Sequence, residues 1–237
     1  MTRRRWIADE VSGNRAALIG DHADHLVRVL RARVGQEFDV VADAAVRRAR
    51  IVGISKNRVE FKLGEEMPPA AVADLTLLLS IFKFDRFEWA IEKCTELGVK
   101  KIVPVIARRT DAHLASASAK RVERWRRIAV QSAEQSRRAT PPEIPDPMKL
   151  QEACRTPGKL RIVLSEAEAE TRLADIFPDS DGQDAILAIG PEGGWTKDEL
   201  ELFQTEHWIS ASLGSTILRA ETAAIAATAL AVSLLNH

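Results

Sequence analysis

The residues best suited to chemistry fall in two stretches, Ile189-Gly190-Pro191-Glu192-Gly193-Gly194-Trp195-Thr196 and Leu213-Gly214-Ser215-Thr216-Ile217-Leu218-Arg219-Ala220-Glu221-Thr222-Ala223. The first holds three glycines in five positions, a loop whose backbone can take positive φ and approach a ligand closely. It lacks the Lys-Ser/Thr of a triphosphate-binding loop. Its G-P-E-G-G spacing also departs from the G-x-G-x-x-G of dinucleotide sites, and no acidic residue stands where a ribose would need one. What remains is a backbone-lined cradle for a nucleotide-like ligand that carries no phosphate cluster, or a bare tight turn that needs glycine.

The charged residues nearby admit two readings each. Arg219 is the only cation of the second stretch and stands where a helix begins, opposite that helix's positive end. An anionic ligand group would offset this cost, and so would a salt bridge to Glu221 or Glu192. Glu192, Glu134 and Glu221 are candidate proton acceptors, and Glu221 is equally a helix-start carboxylate favoured by the dipole. Arg137 and Arg138 read as cations for a base or phosphate, or as helix-end charges.

The elements that must position these groups follow from the hydrophobic pattern. Residues 185–189 are a buried strand, and Thr196 with Glu199 three residues on is a capping box that opens a helix at once. From residue 74 onward, strands at 75–82, 102–106, 160–165, 185–189 and 209–213 alternate with helical patterns. Asp85 caps a helix over 86–97 that Gly98 ends, with Phe87, Ala90, Ile91, Cys94 and Leu97 as its apolar stripe. A long helix spans 119–137, with Val122, Trp125, Ile128, Ala129 and Ser132 inward and Arg124, Arg127, Gln131 and Arg138 on its other side. The last helix, 221–235, is so apolar that it must be covered by the sheet or by a second subunit. Alternation of this kind implies an α/β fold with a mainly parallel sheet and helices on both faces. Residues 1–65 read instead as a small β unit, with strands at 16–19, 36–42, 50–54 and 58–63 and a helix over 23–31. Met67-Pro68-Pro69 breaks the pattern, so the boundary is drawn between 1–68 and 69–237.

Composition narrows the class. Hydrophobic residues make up 46% and charged residues 29%, as in an ordinary globular chain. No apolar run approaches the roughly 18–20 residues of a membrane span. The basic amino terminus leads into no signal-peptide core, so a cytoplasmic protein without membrane partners is expected. Cys94 and Cys154 form no pair motif, the five histidines no ligand spacing, and no metal is expected. Net charge is zero but uneven: residues 1–62 carry 13 Lys and Arg against 8 Asp and Glu, and residues 119–140 carry 7 against 2. Two basic blocks on a neutral chain suggest an anion-binding face, although solvated helix faces explain the second equally well.

The chain resembles a known family through four stretches in order: "H..LVRVLR...G", "K..RFE.AI.K.TELGV..IVP", Glu134-Gln135-Ser136-Arg137-Arg138, and the carboxy-terminal pair "IGPEGG" and "LG..ILRAETA". These are similar to the SPOUT-type RNA methyltransferases and, within them, to the RsmE family of 16S ribosomal RNA uridine N3-methyltransferases. The resemblance implies a trefoil-knotted SPOUT domain behind a PUA-like RNA-binding β-barrel, a homodimer, and S-adenosylmethionine as cofactor. It implies cofactor contacts from Leu164, Ile189, Gly190, Pro191, Glu192, Gly193, Gly194, Leu213, Gly214, Leu218, Glu221, Thr222 and Ala223. It points to Arg219, Arg138 and Glu134 as catalytic candidates. The 30S subunit's RNA would meet Arg3, Arg4, Arg5, His25, Arg28 and Arg31. Two departures stand out: Thr216 where many relatives carry arginine, and Ala44-Ala45 where they turn on glycine. A SPOUT enzyme for another rRNA or tRNA base, or a non-catalytic RNA-binding assembly factor, are the rival readings.

Overall fold

The computed structural model describes residues 5–43, 45–67, 73–136, 138, 140–177 and 184–235. Among them no helix is long and apolar enough to cross a membrane. The chain divides into two compact units, residues 1–70 with 133–140, and residues 71–132 with 141–237.

In the first unit the elements run β1 (Arg5–Ile7), β2 (Glu10–Ser12), β3 (Arg15–Ile19), α1 (Asp21–Asp24), a π-helical turn (His25–Val29), β4 (Glu37–Ala42), β5 (Ala45–Ser55) and β6 (Arg58–Met67). The sheet order is β1-β4-β5-β6-β3-β2, with only β1 and β4 parallel. Its two edge strands are consecutive in the chain. Between them Ala8 donates to Val41 O and Asp9 to Ala17 O, so the sheet curls until its edges meet. Register shifts between Arg47 and Ala49 and between Ile51 and Gly53 supply the bend. Trp6, Leu18, Leu26, Ile51, Val59 and Phe61 fill the interior. The sequence reading missed β1 and β2, which are too short for alternation to register. The expected helix over 23–31 starts at Asp21 and loosens into the π turn, and Arg31 lies beyond it at φ 52°. At the glycine-poor hairpin, Asp43 itself takes positive φ (50°); Ala44 lies outside the described residues.

The second unit contains β7 (Leu75–Ser80), α2 (Phe84–Leu97), β8 (Lys101–Ile106), α3 (Ala112–Ala117), α4 (Val122–Gln135, its last turn in the first unit), β9 (Met148–Lys149), α5 (Leu150–Ala153), β10 (Leu160–Leu164), β11 (Ala185–Ile189), α6 (Lys197–Thr205), β12 (Ile209–Ala211) and α7 (Ala220–Leu235). All strand pairs in its sheet, ordered β12-β10-β11-β7-β8-β9, are parallel. Alternate residues serve opposite faces. Leu75, Leu77 and Leu79 join Phe87, Trp125 and the alanines of α7, while Leu78, Val103 and Ile186 join Trp195, Phe203 and Trp208. The parallel, two-faced sheet is therefore as the pattern predicts.

Several ends differ. Helix α2 begins one residue before Asp85, so its N-cap is Lys83, which has no side-chain acceptor, and Glu88 accepts from Arg124 at 2.8 Å instead of closing a capping box. Gly98 closes it in the left-handed region at φ 107° as expected. The long helix is divided: α3 and a 3₁₀ turn (Ser118–Arg121) precede α4. Helix α7 covers the sheet with Ala224, Ala227 and Ala231, yet leaves Ala226 and Ala229 exposed.

Candidate functional site

The carboxyl ends of three neighbouring strands converge on one cavity of about 500 Å³ in the second unit. Residues 164–167 come from the end of β10, 189–192 with Gly194 and Trp195 from the end of β11, and 211–214 from the end of β12; residues 216–219 lead into α7, which adds Ala220 and Ala223, and Arg86 reaches in from α2. This is where parallel α/β sheets bind ligands, because loops diverge there while strands stay packed.

Local chemistry fixes the glycine loop. The capping box at α6 is complete: Glu199 N donates to Thr196 Oγ1, and Thr196 N donates to Glu199 Oε2 at 2.8 Å. Glu199 is buried and its other oxygen accepts from Arg108 N at 2.7 Å, tying the cap to the turn after β8. From that turn Arg109 Nη1 donates to the carbonyls of Gly193 and Trp195. The Trp195 indole N–H donates to Leu164 O at 2.9 Å, joining the β10 and β11 ends across the cavity. A Cβ on Gly190 would come within 3.3 Å of that indole; one on Gly194, at φ 68°, within 3.2 Å of Glu166 Oε1. Gly194 is thus favoured by its positive φ, and a side chain at Gly190 would need the indole to give by a few tenths of an ångström.

Of the expected cofactor residues, the cavity wall includes Leu164, Ile189, Gly190, Pro191, Glu192, Gly194, Leu213, Gly214, Leu218 and Ala223. Gly193, Glu221 and Thr222 lie outside the lining. Gly193 faces the Arg109 stem, with its virtual Cβ 3.2 Å from Arg109 Cδ. Glu221 is buried and pairs with Arg86 at 3.3 Å. Arg219 lines the cavity and is exposed, and the salt bridge to Glu221 or Glu192 is not formed. Thr216 also lines it. Sequence reasoning did not single out Arg86, Glu166, Trp195 or Arg109. Arg86 and Trp195 stood in the quoted stretches without a role, whereas nothing in spacing marks Arg109 or Glu166.

Glu134 and Arg138 lie in the 133–140 segment of the first unit and outside this lining. Glu134 is buried with its carboxylate 3.5 Å from His22 Nε2, whose Nδ1 sits 3.0 Å from Asp9. Burial lowers the Arg138 pKa to about 10, leaving it charged at neutral pH. Arg137 lies outside the described residues.

Of the residues expected to meet RNA, Arg3 and Arg4 lie outside the described residues. Arg5 is half-buried in β1, His25 stacks edge-on against Trp6 at 5.8 Å, and Arg28 and Arg31 are exposed. Three of the seven cations in the second basic block are engaged at home: Arg121 and Arg124 pair with Glu88, and Arg126 with Glu123 and Asp146. That answers to a solvated, salt-bridged face better than to a phosphate track. Among the described residues no cluster of three or more His, Cys, Asp and Glu is placed to hold a metal.

Comparison with known proteins bears on this geometry. An RNA methyltransferase domain matches residues 68–232, and an RNA methyltransferase PUA domain matches residues 18–64. The ribosomal RNA small subunit methyltransferase E of Rickettsia conorii is 35% identical over 93% of this chain and 90% of its own length. That of Synechocystis is 32% identical over 90% of this chain and 71% of its own. The crystal structure of the Neisseria gonorrhoeae methyltransferase E bound to S-adenosyl methionine superposes with a TM-score of 0.87, at 29% identity, covering 99% of this chain and 98% of that one. The family match runs through all three loops of the cavity, and the chain belongs to the ribosomal RNA small subunit methyltransferase E family of RNA methyltransferases.

Proposed function

We propose that this protein transfers a methyl group from S-adenosylmethionine to N3 of a uridine in small-subunit ribosomal RNA. The cavity at the β10, β11 and β12 ends carries the reading. Its walls are backbone and apolar strand ends, its glycine loop packs tightly on Trp195 and Glu166, and no lysine is among its lining residues. Those properties suit an adenosine without phosphates. The cofactor supplies an electrophilic methyl on a sulfonium, open to in-line displacement.

The protein's part is to hold the uracil N3 in line and to manage its proton. Glu166 and Glu192 are the carboxylates on the lining and are the proton acceptors in this reading, directly or through water. Arg219, exposed on the same wall, supplies positive charge to the uracil anion. Glu221 is set back behind Arg86 and serves the wall rather than the proton.

The same reading carries a knotted backbone, a cytoplasmic homodimer and an RNA grip by the β-barrel through Arg28 and Arg31. The half-exposed apolar side of α7 supports the dimer. Incubation with radiolabelled cofactor and undermethylated 30S subunits, followed by mapping of the label, tests the proposal. Label on a uridine N3 of the 16S RNA is expected. Label on another base overturns the substrate assignment, and cofactor binding without label points to the non-catalytic RNA-binding alternative.

A further inference from the structure

The cavity holds two cations with different surroundings. Arg219 is exposed and makes no salt bridge among the described residues, as suits a group that meets an incoming RNA. Arg86 is different. It lines the same cavity with its side chain one-third exposed (33%), and Glu221, whose side chain is 6% exposed, sits 3.3 Å behind it. The pair joins the first turn of α2 to the first turn of α7. Glu221 Oε2 is buried and makes no hydrogen bond among the described residues, so this carboxylate is committed to one guanidinium nitrogen. A buried carboxylate so placed fixes the orientation of its partner, and the guanidinium fork has five N–H donors of which one pair contact uses few.

From this geometry we infer that Arg86, positioned by Glu221, binds the α-carboxylate of the methyl donor. The inference rests on the proposed use of S-adenosylmethionine. That donor has a carboxylate at one end, which only a cation on the lining can meet. Arg86 is the one lining cation already oriented by a buried counter-ion, and planar carboxylates are what a guanidinium recognises best. Arg219 then remains for the RNA, and the two arginines divide cofactor from substrate.

The test compares S-adenosylmethionine with decarboxylated S-adenosylmethionine, which keeps the ammonium and sulfonium and loses only the carboxylate. Calorimetry on the full-length protein is expected to show the decarboxylated form binding about tenfold or more weakly to wild type, the scale of one charged hydrogen-bonded contact. In Arg86→Met the two ligands are expected to bind within about twofold of one another, because the discriminating group is gone. Glu221→Gln is expected to reduce the preference partway, a selective effect that a merely structural role would not produce. An unchanged preference in Arg86→Met overturns the inference, as does a wild type that binds both ligands equally. A wild type that binds neither overturns the proposed function itself. Should Arg86→Met fold poorly because Glu221 is left buried and unpaired, the double variant with Glu221→Gln removes both charges and carries the same comparison.

Discussion

At the scale of single residues, the cavity separates groups that hold shape from groups that face a ligand. Arg219 belongs to the second kind, since it is exposed and outside every ion pair among the described residues. Arg219→Ala is expected to lower methyl transfer about 100-fold, the scale of losing one charge-stabilising donor, with melting temperature and cofactor affinity nearly unchanged. Single-turnover kinetics beside a thermal melt check this; near wild-type turnover would leave Arg219 a surface cation. The glycines differ among themselves. Gly194 sits at positive φ against Glu166, whereas Gly193 meets only the flexible Arg109 stem. Gly194→Val should therefore weaken cofactor binding more than Gly193→Val, and calorimetry giving the reverse order would contradict the loop geometry. Cys94 is a buried residue of another sort. Burial among apolar groups pushes its thiol from 9.0 up to about 12, so folding keeps it neutral. Its contribution to stability is complete below pH 9 and is lost as pH rises from there toward 12. Urea midpoints falling over that window, and falling less in Cys94→Ala, are the expected result. The thiol should also resist alkylation at pH 8 until the protein unfolds.

At the scale of elements, what was legible in the sequence was whatever rests on local signals. The apolar run at β11, the αL glycine closing α2 and the Thr196–Glu199 box were readable because each is decided within a few residues. The box has a wider role than capping, since Glu199 also holds Arg108 N. Thr196→Ala is thus expected to cost about 1 kcal/mol of stability, an ordinary cap loss, and to loosen the glycine loop as well. Denaturation with and without cofactor measures both. What was not legible depends on contacts across long sequence distance. Asp85 looks like a cap, but the helix starts before it behind Lys83, and Glu88 is held by Arg124 from 36 residues away. Arg109 and Glu166 come to the cradle only through the parallel sheet, and no spacing announces them. The three-residue strands β1 and β2 are too short to show a period, and only the closing of the barrel reveals them.

At the scale of the whole molecule, the apolar helix α7 has one side that the fold covers only in part. Helix α7 buries its alanine stripe on the sheet but leaves Ala226 and Ala229 in solvent and Ile225, Leu230 and Val232 half-covered. Sedimentation equilibrium at micromolar concentration is expected to show a homodimer. A monomer that still methylates RNA would remove both the interface and any sharing of the site.

The division of the chain has a consequence for its birth on the ribosome. The first unit is discontinuous: residues 1–70 are completed only by 133–140, which bring the buried Glu134 against His22. Synthesis proceeds at about 5–20 residues per second, so roughly 3–14 s pass between emergence of the two pieces. During that interval the nascent barrel presents His22 and its surroundings uncovered, and the unit cannot finish folding until residues 71–132 of the second unit have also left the tunnel. A translational pause that falls after residue 70 has emerged and before residue 140 has done so would lengthen that exposure. One that comes after residue 140 has left the tunnel would not, so the timing of synthesis in the two windows is expected to matter unequally for the yield of native protein.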